Sequence, residues 1–193
     1  MTYRHVALMG RARSGKDTAA SRLVLRHQFT RVAFADPLRT TALDLDPIVG
    51  TEPTGLGALP IRLSDVVRRH GWDAAKIFPE VRRTLQRLGE AVREHDPEHW
   101  LRLALAKVDT ADRWNIPVVI TDVRHVNEAD ALRTRGFALV RVVRPGAHGP
   151  ASRAEREHVS ETALDEYPAD AVLTNGGTLA ELYQAADGLA VPR

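Results

Sequence analysis

No cysteine occurs among the 193 residues, so neither disulfides nor thiolate metal sites are available, and an intracellular location is the simplest reading. Long apolar runs are missing as well. The run ahead of Gly10 is too short for the core of a signal peptide, and no segment approaches the length of a membrane span. The expectation is a soluble, cytoplasmic protein with no membrane partner. Charge of one sign is scarce: the net charge is +2 and the arginines are scattered, which argues against a nucleic-acid polymer as partner and for a small anionic ligand. The eight histidines show none of the spacings that hold zinc, so they read as surface or core residues. What remains is ordinary globular composition, 44% hydrophobic and 27% charged, long enough to bury a sizeable core in one domain with room for an inserted flap.

Against that background residues 10–18, GRARSGKDT, stand out because they directly follow the apolar run Val6–Met9 and precede a helical pattern. The spacing G-x-x-x-x-G-K is that of a phosphate-binding Walker A loop. Gly10 and Gly15 let backbone N–H groups converge on phosphate oxygens, Arg13 and Ser14 belong to the same turn, and Lys16 supplies a mobile positive charge. The alternative is a glycine-rich turn that binds nothing; the strand before and the helix after weigh against it. The residue following the lysine is normally a serine or threonine whose hydroxyl holds Mg²⁺. Here it is Asp17, with Thr18 one place later, so metal holding is expected to be shared differently.

Further along, residues 31–35 read as a second buried strand, ended by Asp36-Pro37, which opens a helix over 38–43. Asp36 is placed at the carboxyl edge of a sheet or serves only as that helix's cap. Residues 46–60, with three prolines and three glycines, are expected to be a loop. A short helix follows over 64–70, stopped by Gly71. A better one starts at Pro79, with Val81, Leu85, Leu88 and Val92 at helical spacing, and sets Arg82, Arg83, Gln86 and Arg93 on its other faces. Those side chains are phosphate-capable, or simply a solvated face. The helix over 98–109 carries Trp100 in an apolar stripe, which on pattern alone reads as core. Residues 117–122, PVVITD, form a buried central strand ending in a carboxylate, resembling a Walker B strand, with Arg124, Asn127 and Glu128 at its exit. Residues 137–143 and 170–175 supply the fourth and fifth strands, Gly176-Gly177 turning the last into a helix over 178–186. Residues 144–157 are small and charged and read as a lid. Strands alternating with helices predict α/β architecture: a five-stranded parallel sheet with helices on both faces.

The stretches RSGKDT (13–18), VRRTLQRLG (81–89) with Trp100, DVRHVNE (122–128), VVRPG (142–146), HVSE (158–161) and TNGGTL (174–179) together resemble the phage deoxynucleoside monophosphate kinases, a branch of the P-loop nucleoside monophosphate kinase fold. The likeness runs nearly end to end and includes Asp17. It implies a three-layer P-loop NTPase fold in one domain, with a helical acceptor-binding insertion at about 36–110 and a lid at about 144–160. It implies transfer from ATP to a deoxynucleoside monophosphate (dNMP), with Mg²⁺ held by Asp17, Thr18 and Asp122. Gly10, Arg13, Ser14, Gly15, Lys16, Asp17 and Thr18 would hold ATP, and Asn175 and Gly177 would approach its adenine. Asp36, Arg82, Arg83, Gln86, Gly89, Trp100, Asp122, Arg124 and Glu128 would bind the acceptor, with Trp100 either core or the edge of a nucleotide pocket. Lys16, Arg124, Arg153 and Arg156 are the expected catalytic cations. The location implied is the cytoplasm, that of the host for a phage-encoded chain; monomer and homodimer both stay open. Two rivals fit the same loop: a kinase of another small phosphate, such as phosphomevalonate, and an ATP-binding regulator that transfers nothing.

Overall fold

A computed structural model describes residues 2–55, 57–75, 77–146 and 163–193. Arg153, Arg156 and most of the expected lid lie outside the described residues. Two compact units emerge, one formed by Met1–Phe34 with Ala104–Arg193 and the other by Ala35–Leu103.

In the first unit the apolar runs become one parallel sheet. Strands β1 (Val6–Met9), β2 (Thr30–Val32), β5 (Val118–Val123), β6 (Ala138–Val143) and β7 (Ala171–Thr174) lie in the order β2-β5-β1-β6-β7. Every neighbouring pair is parallel, with Val6 opposite both Val119 and Ala138, and Val140 opposite Ala171. Parallel neighbours need crossover connections, and α1 (Lys16–His27), α5 (His99–Arg113) and α6 (Val126–Thr134) lie in them, while α7 (Leu179–Asp187) follows the last strand. All four residues of β1 are fully buried. Because alternate residues of a strand face opposite ways, both faces of the sheet must be covered. On one face Val6, Leu8, Val119, Val140 and Val142 pack against Ala19, Ala20 and Leu23 of α1 and Leu182 and Ala186 of α7. The five-stranded α/β expectation is met, and β1 and β5 deliver the phosphate loop and Asp122 to the same carboxyl edge.

The helices α1 and α7 are also tied by charge. Arg22 donates two parallel hydrogen bonds to Asp187, at 2.8 and 2.7 Å, and His27 contacts the same carboxylate at 2.9 Å. Hydrogen bonding from Arg22 holds the Asp187 carboxyl down at about 2 against the upward push of desolvation, with His27 adding to the effect.

The second unit has its own core, in which Ala42, Leu63, Val66, Ala75 and Val81 are buried with Leu85 and Leu88 packed alongside. It contains α2 (Ala35–Leu45), an antiparallel pair β3 (Ile48–Thr54) and β4 (Gly57–Arg62), α3 (Leu63–Ala75) and α4 (Pro79–His95). Residues 46–60, expected as a loop, are therefore mostly a β-ribbon. Prolines are tolerated there because a two-stranded ribbon consists only of edges: Pro60 sits opposite Thr51, and Pro53 opposite Ala58. Gly71 interrupts α3 with φ 71°, as expected of a stop, but the helix resumes beyond it to Ala75.

Candidate functional site

The turn from β1 into α1 requires glycine twice. Gly10 has φ +133°, and a Cβ there would lie 2.4 Å from the carbonyl oxygen of Val142 on β6. Gly15, at φ +105°, would drive a Cβ to 2.5 Å from Nδ2 of Asn175. Both conformations are ones that side chains rarely adopt, and both contacts are with atoms of the neighbouring strand ends. Arg13, between them, also takes the left-handed region with φ 62°.

That turn leaves α1 open at its N-terminus. Gly15 is the N-cap and has no side chain with which to cap the first turn, so helix-terminal N–H groups and the positive end of the dipole are presented to an anion. The neighbouring helices differ. In α7, Thr178 and Glu181 cap each other, the Thr178 N–H donating to Glu181 at 2.6 Å, and that backbone bond lowers the Glu181 carboxyl below its usual range. In α6, Glu128 does the work. Ser14 is 4% exposed, and its hydroxyl oxygen is buried with no hydrogen-bond partner among the described residues, an orphaned donor in the same loop. Lys16 Nζ donates to the carbonyls of Gly10 and Arg11 at 2.6 and 2.8 Å, folded back on the loop that a phosphate would enter.

These residues open on a cavity of about 490 Å³ lined by Arg13, Ser14, Gly15, Lys16, Asp17, Thr18, Arg144, Asn175, Gly177, Leu179 and Leu182. An anion fits the loop end, and an apolar wall of Leu179 and Leu182 suits the flat face of a base. Arg144 was not singled out by sequence reasoning, which had it only at the start of the expected lid and within the stretch VVRPG. Its signal was available: it directly follows a parallel strand, the same placement that singles out the exit of β5. Leu179 and Leu182 carried no signal beyond their helix.

At the exit of β5, Asp122 is half-buried, and its Oδ1 accepts the N–H of Phe34 at 2.9 Å. Arg124 is exposed. Glu128, expected to touch the acceptor, is instead 1% exposed, and its Oε2 accepts the N–H groups of Arg124 and His125 at 2.9 and 3.1 Å. A carboxylate one turn into α6 satisfies the helix's orphan donors and holds the Arg124 backbone. Asp17 and Thr18, which line the cavity, and Asp122, near the end of β5, are all hard oxygen donors. Among the described residues no group of three or more His, Cys, Asp or Glu could hold a metal. Such a set suits a Mg²⁺ ion that takes its other ligands from phosphates and water.

In the second unit, Asp36 lies in the first turn of α2 and pairs with Arg39 at 3.4 Å, whose guanidinium stands 5.7 Å from the centre of the Trp72 ring. Arg82, Arg83 and Gln86 are exposed on α4, and Arg83 reaches back one turn to Glu80 at 2.6 Å. Gly89 and Trp100 are brought together: the indole N–H donates to the Gly89 carbonyl at 3.3 Å. Trp100 is 3% exposed, which favours core packing of its two readings. A residue larger than glycine at position 89 would put its Cβ 3.4 Å from Leu38.

Among known proteins, a family model described as deoxynucleotide monophosphate kinase matches residues 68–186. A putative deoxynucleotide monophosphate kinase of Acanthamoeba polyphaga mimivirus is 31% identical over 191 residues, covering 92% of this chain and 91% of that protein. The deoxynucleotide monophosphate kinase of Enterobacteria phage T4 is 34% identical over 106 residues, 53% of this chain and 42% of the phage protein. TT1252 from Thermus thermophilus, a solved structure, aligns over 98% of this chain and 97% of its own with a TM-score of 0.49 at 18% identity, too slight a likeness to carry weight. No helix among the described residues is long and apolar enough to cross a membrane.

Proposed function

The chain belongs to the deoxynucleotide monophosphate kinase family, and from that premise we propose that it transfers the γ-phosphoryl group of ATP to a dNMP, giving dNDP and ADP. The observation that carries the donor half is the uncapped N-terminus of α1 beside the orphaned Ser14 hydroxyl and Lys16. Gly10, Arg13, Ser14, Gly15, Lys16 and Thr18 hold the phosphates, while Leu179, Leu182 and Gly177 flank the base.

The acceptor phosphate is already an anion, so one of its oxygens attacks the γ-phosphorus without a strong general base, and the bond to the β–γ bridging oxygen breaks as ADP leaves. Positioning and electrostatics then supply the rate. Lys16 exchanges its two loop carbonyls for phosphate oxygens. Arg124 grips the acceptor phosphate with its planar fork, its backbone steadied by Glu128. In the second unit, Asp36, Arg82, Arg83, Gln86 and Gly89 are the further candidates for acceptor binding. Asp17 and Thr18, with Asp122, would hold Mg²⁺, which when bound neutralises charge on the phosphates.

The family assignment sets phosphomevalonate-type substrates and a non-transferring regulator aside as readings of this chain. A coupled ADP-release assay with each common dNMP and its ribonucleotide counterpart, supplied in turn, tests the reading. ADP release that rises with at least one dNMP supports it; release at the same slow rate with every acceptor would refute it.

A further inference from the structure

We propose that Asn175 is a positioning residue that locks one peptide of the phosphate loop, and that its contribution to ATP binding is independent of the base. Asn175 follows β7, an edge strand of the sheet. Its backbone N–H continues the ladder, donating to the Val143 carbonyl at 2.7 Å. Its side-chain nitrogen donates to the carbonyl oxygen of Ser14 at 2.9 Å. Only the amide nitrogen can make that bond, since the partner is a carbonyl, so the orientation of the side chain is fixed by chemistry.

The bond has consequences because of where it falls. A trans peptide is planar, with its carbonyl and N–H on opposite sides, so tying the Ser14 carbonyl toward Asn175 turns the Gly15 N–H the other way. Gly15 is the N-cap of α1, and its peptide is one of the donors that make the loop an anion site. It is also the peptide most free to flip, since glycine crosses backbone regions closed to other residues. A flip would replace a donor with a carbonyl oxygen. Asn175 opposes that flip with a hydrogen bond, while the absence of a Cβ on Gly15 lets the amide approach: a Cβ there would be 2.5 Å from Nδ2. The same amide therefore accounts for the glycine at position 15 and for the shape of the loop. The resemblance to known kinases had placed Asn175 near adenine, and the contact observed is with the loop.

The inference rests on the ATP site proposed above, and the test separates the two. Wild type, Asn175→Ala and Asn175→Asp are compared in KM for ATP, GTP and dNMP and in the dissociation constant of inorganic tripolyphosphate, which has no base; melting curves serve as controls. Asn175→Asp loses the donor and adds a negative charge beside the phosphates, so it should weaken all three anions by more than the alanine variant; Asn175→Leu, of similar size and uncharged, serves if the alanine variant does not fold. Losing one net hydrogen bond should weaken ATP, GTP and tripolyphosphate by the same factor, about three- to tenfold, leaving the KM for dNMP unchanged. Weaker ATP binding with tripolyphosphate unaffected would overturn the proposal in favour of base contact. No change in any donor, or equal losses for donor and dNMP with a lower melting temperature, would overturn it too. If wild type itself bound neither ATP nor tripolyphosphate, the phosphate-loop reading would be at fault, and the proposal would fall with it.

Discussion

Replacing Lys16 with alanine separates the loop's chemistry from its folding. In the structure the ammonium donates to Gly10 O and Arg11 O on the rim of its own loop, and Lys16 is not part of the core cluster that buries Val6 and Leu8 of β1. One of these bonds is part-buried and the other exposed, so water can take the place of the ammonium when it is removed. The fold should therefore lose no more than about 1 kcal/mol, the scale of a net hydrogen bond at an accessible site. Turnover should fall far more. A charge aimed at the transferring phosphoryl group acts mainly in the transition state, and deleting one such donor costs about 3 kcal/mol, or more than a hundredfold. The assay is steady-state ADP release at saturating ATP and dNMP, with thermal melting of the same preparation. A folded Lys16→Ala protein with turnover within about threefold of wild type would remove Lys16 from the mechanism. A collapse of the melting temperature would show that the lysine is structural instead.

Asp17→Asn keeps the shape and loses the charge, so the Mg²⁺ concentration giving half-maximal rate should rise; an unchanged Mg²⁺ profile would assign Asp17 to loop structure. Arg124→Lys keeps a charge but loses the planar fork, so kcat/KM for dNMP should fall by about 1.5 to 3 kcal/mol while the KM for ATP scarcely moves. An equal loss for both substrates, or a large drop in melting temperature, would make Arg124 structural. Asp187 sits at about 2 in the folded protein against an ordinary 3.8, so the stability it contributes is fully present above about pH 4 and is lost as pH falls toward 2. Arg22→Leu should remove most of that acid dependence in urea melts between those pH values; an unaltered profile would mean that the ion pair does not couple α1 to α7.

The parallel sheet was legible because fully buried strands appear as uninterrupted apolar runs, such as 118–120 and 138–140, punctuated by glycine or by a carboxylate. The phosphate loop was legible for a different reason: Gly10 and Gly15 occupy backbone conformations that almost no other residue accepts. The ribbon of β3 and β4 was not legible, because most of its residues are exposed. Without a buried face there is no alternation to detect, and its prolines read as loop residues. The backbone contacts of Glu128 and Asn175 were not legible for a shared reason. Each is a polar side chain whose partner is a backbone group fixed by the fold, Arg124 N for one and Ser14 O for the other. A polar residue at the edge of a sheet looks the same in sequence whether it faces a ligand or holds the frame that does. Trp100 shows the converse, since its helical stripe already pointed to the core where the structure has it.

The most direct test follows the phosphorus itself. The protein is incubated with ATP labelled at the γ-phosphate, Mg²⁺ and each dNMP in turn, and the labelled products are separated. Label appearing in the β-phosphate of a dNDP, in an amount equal to the ADP formed, is the predicted result. Label appearing only in inorganic phosphate, at a rate indifferent to every dNMP, would contradict the account.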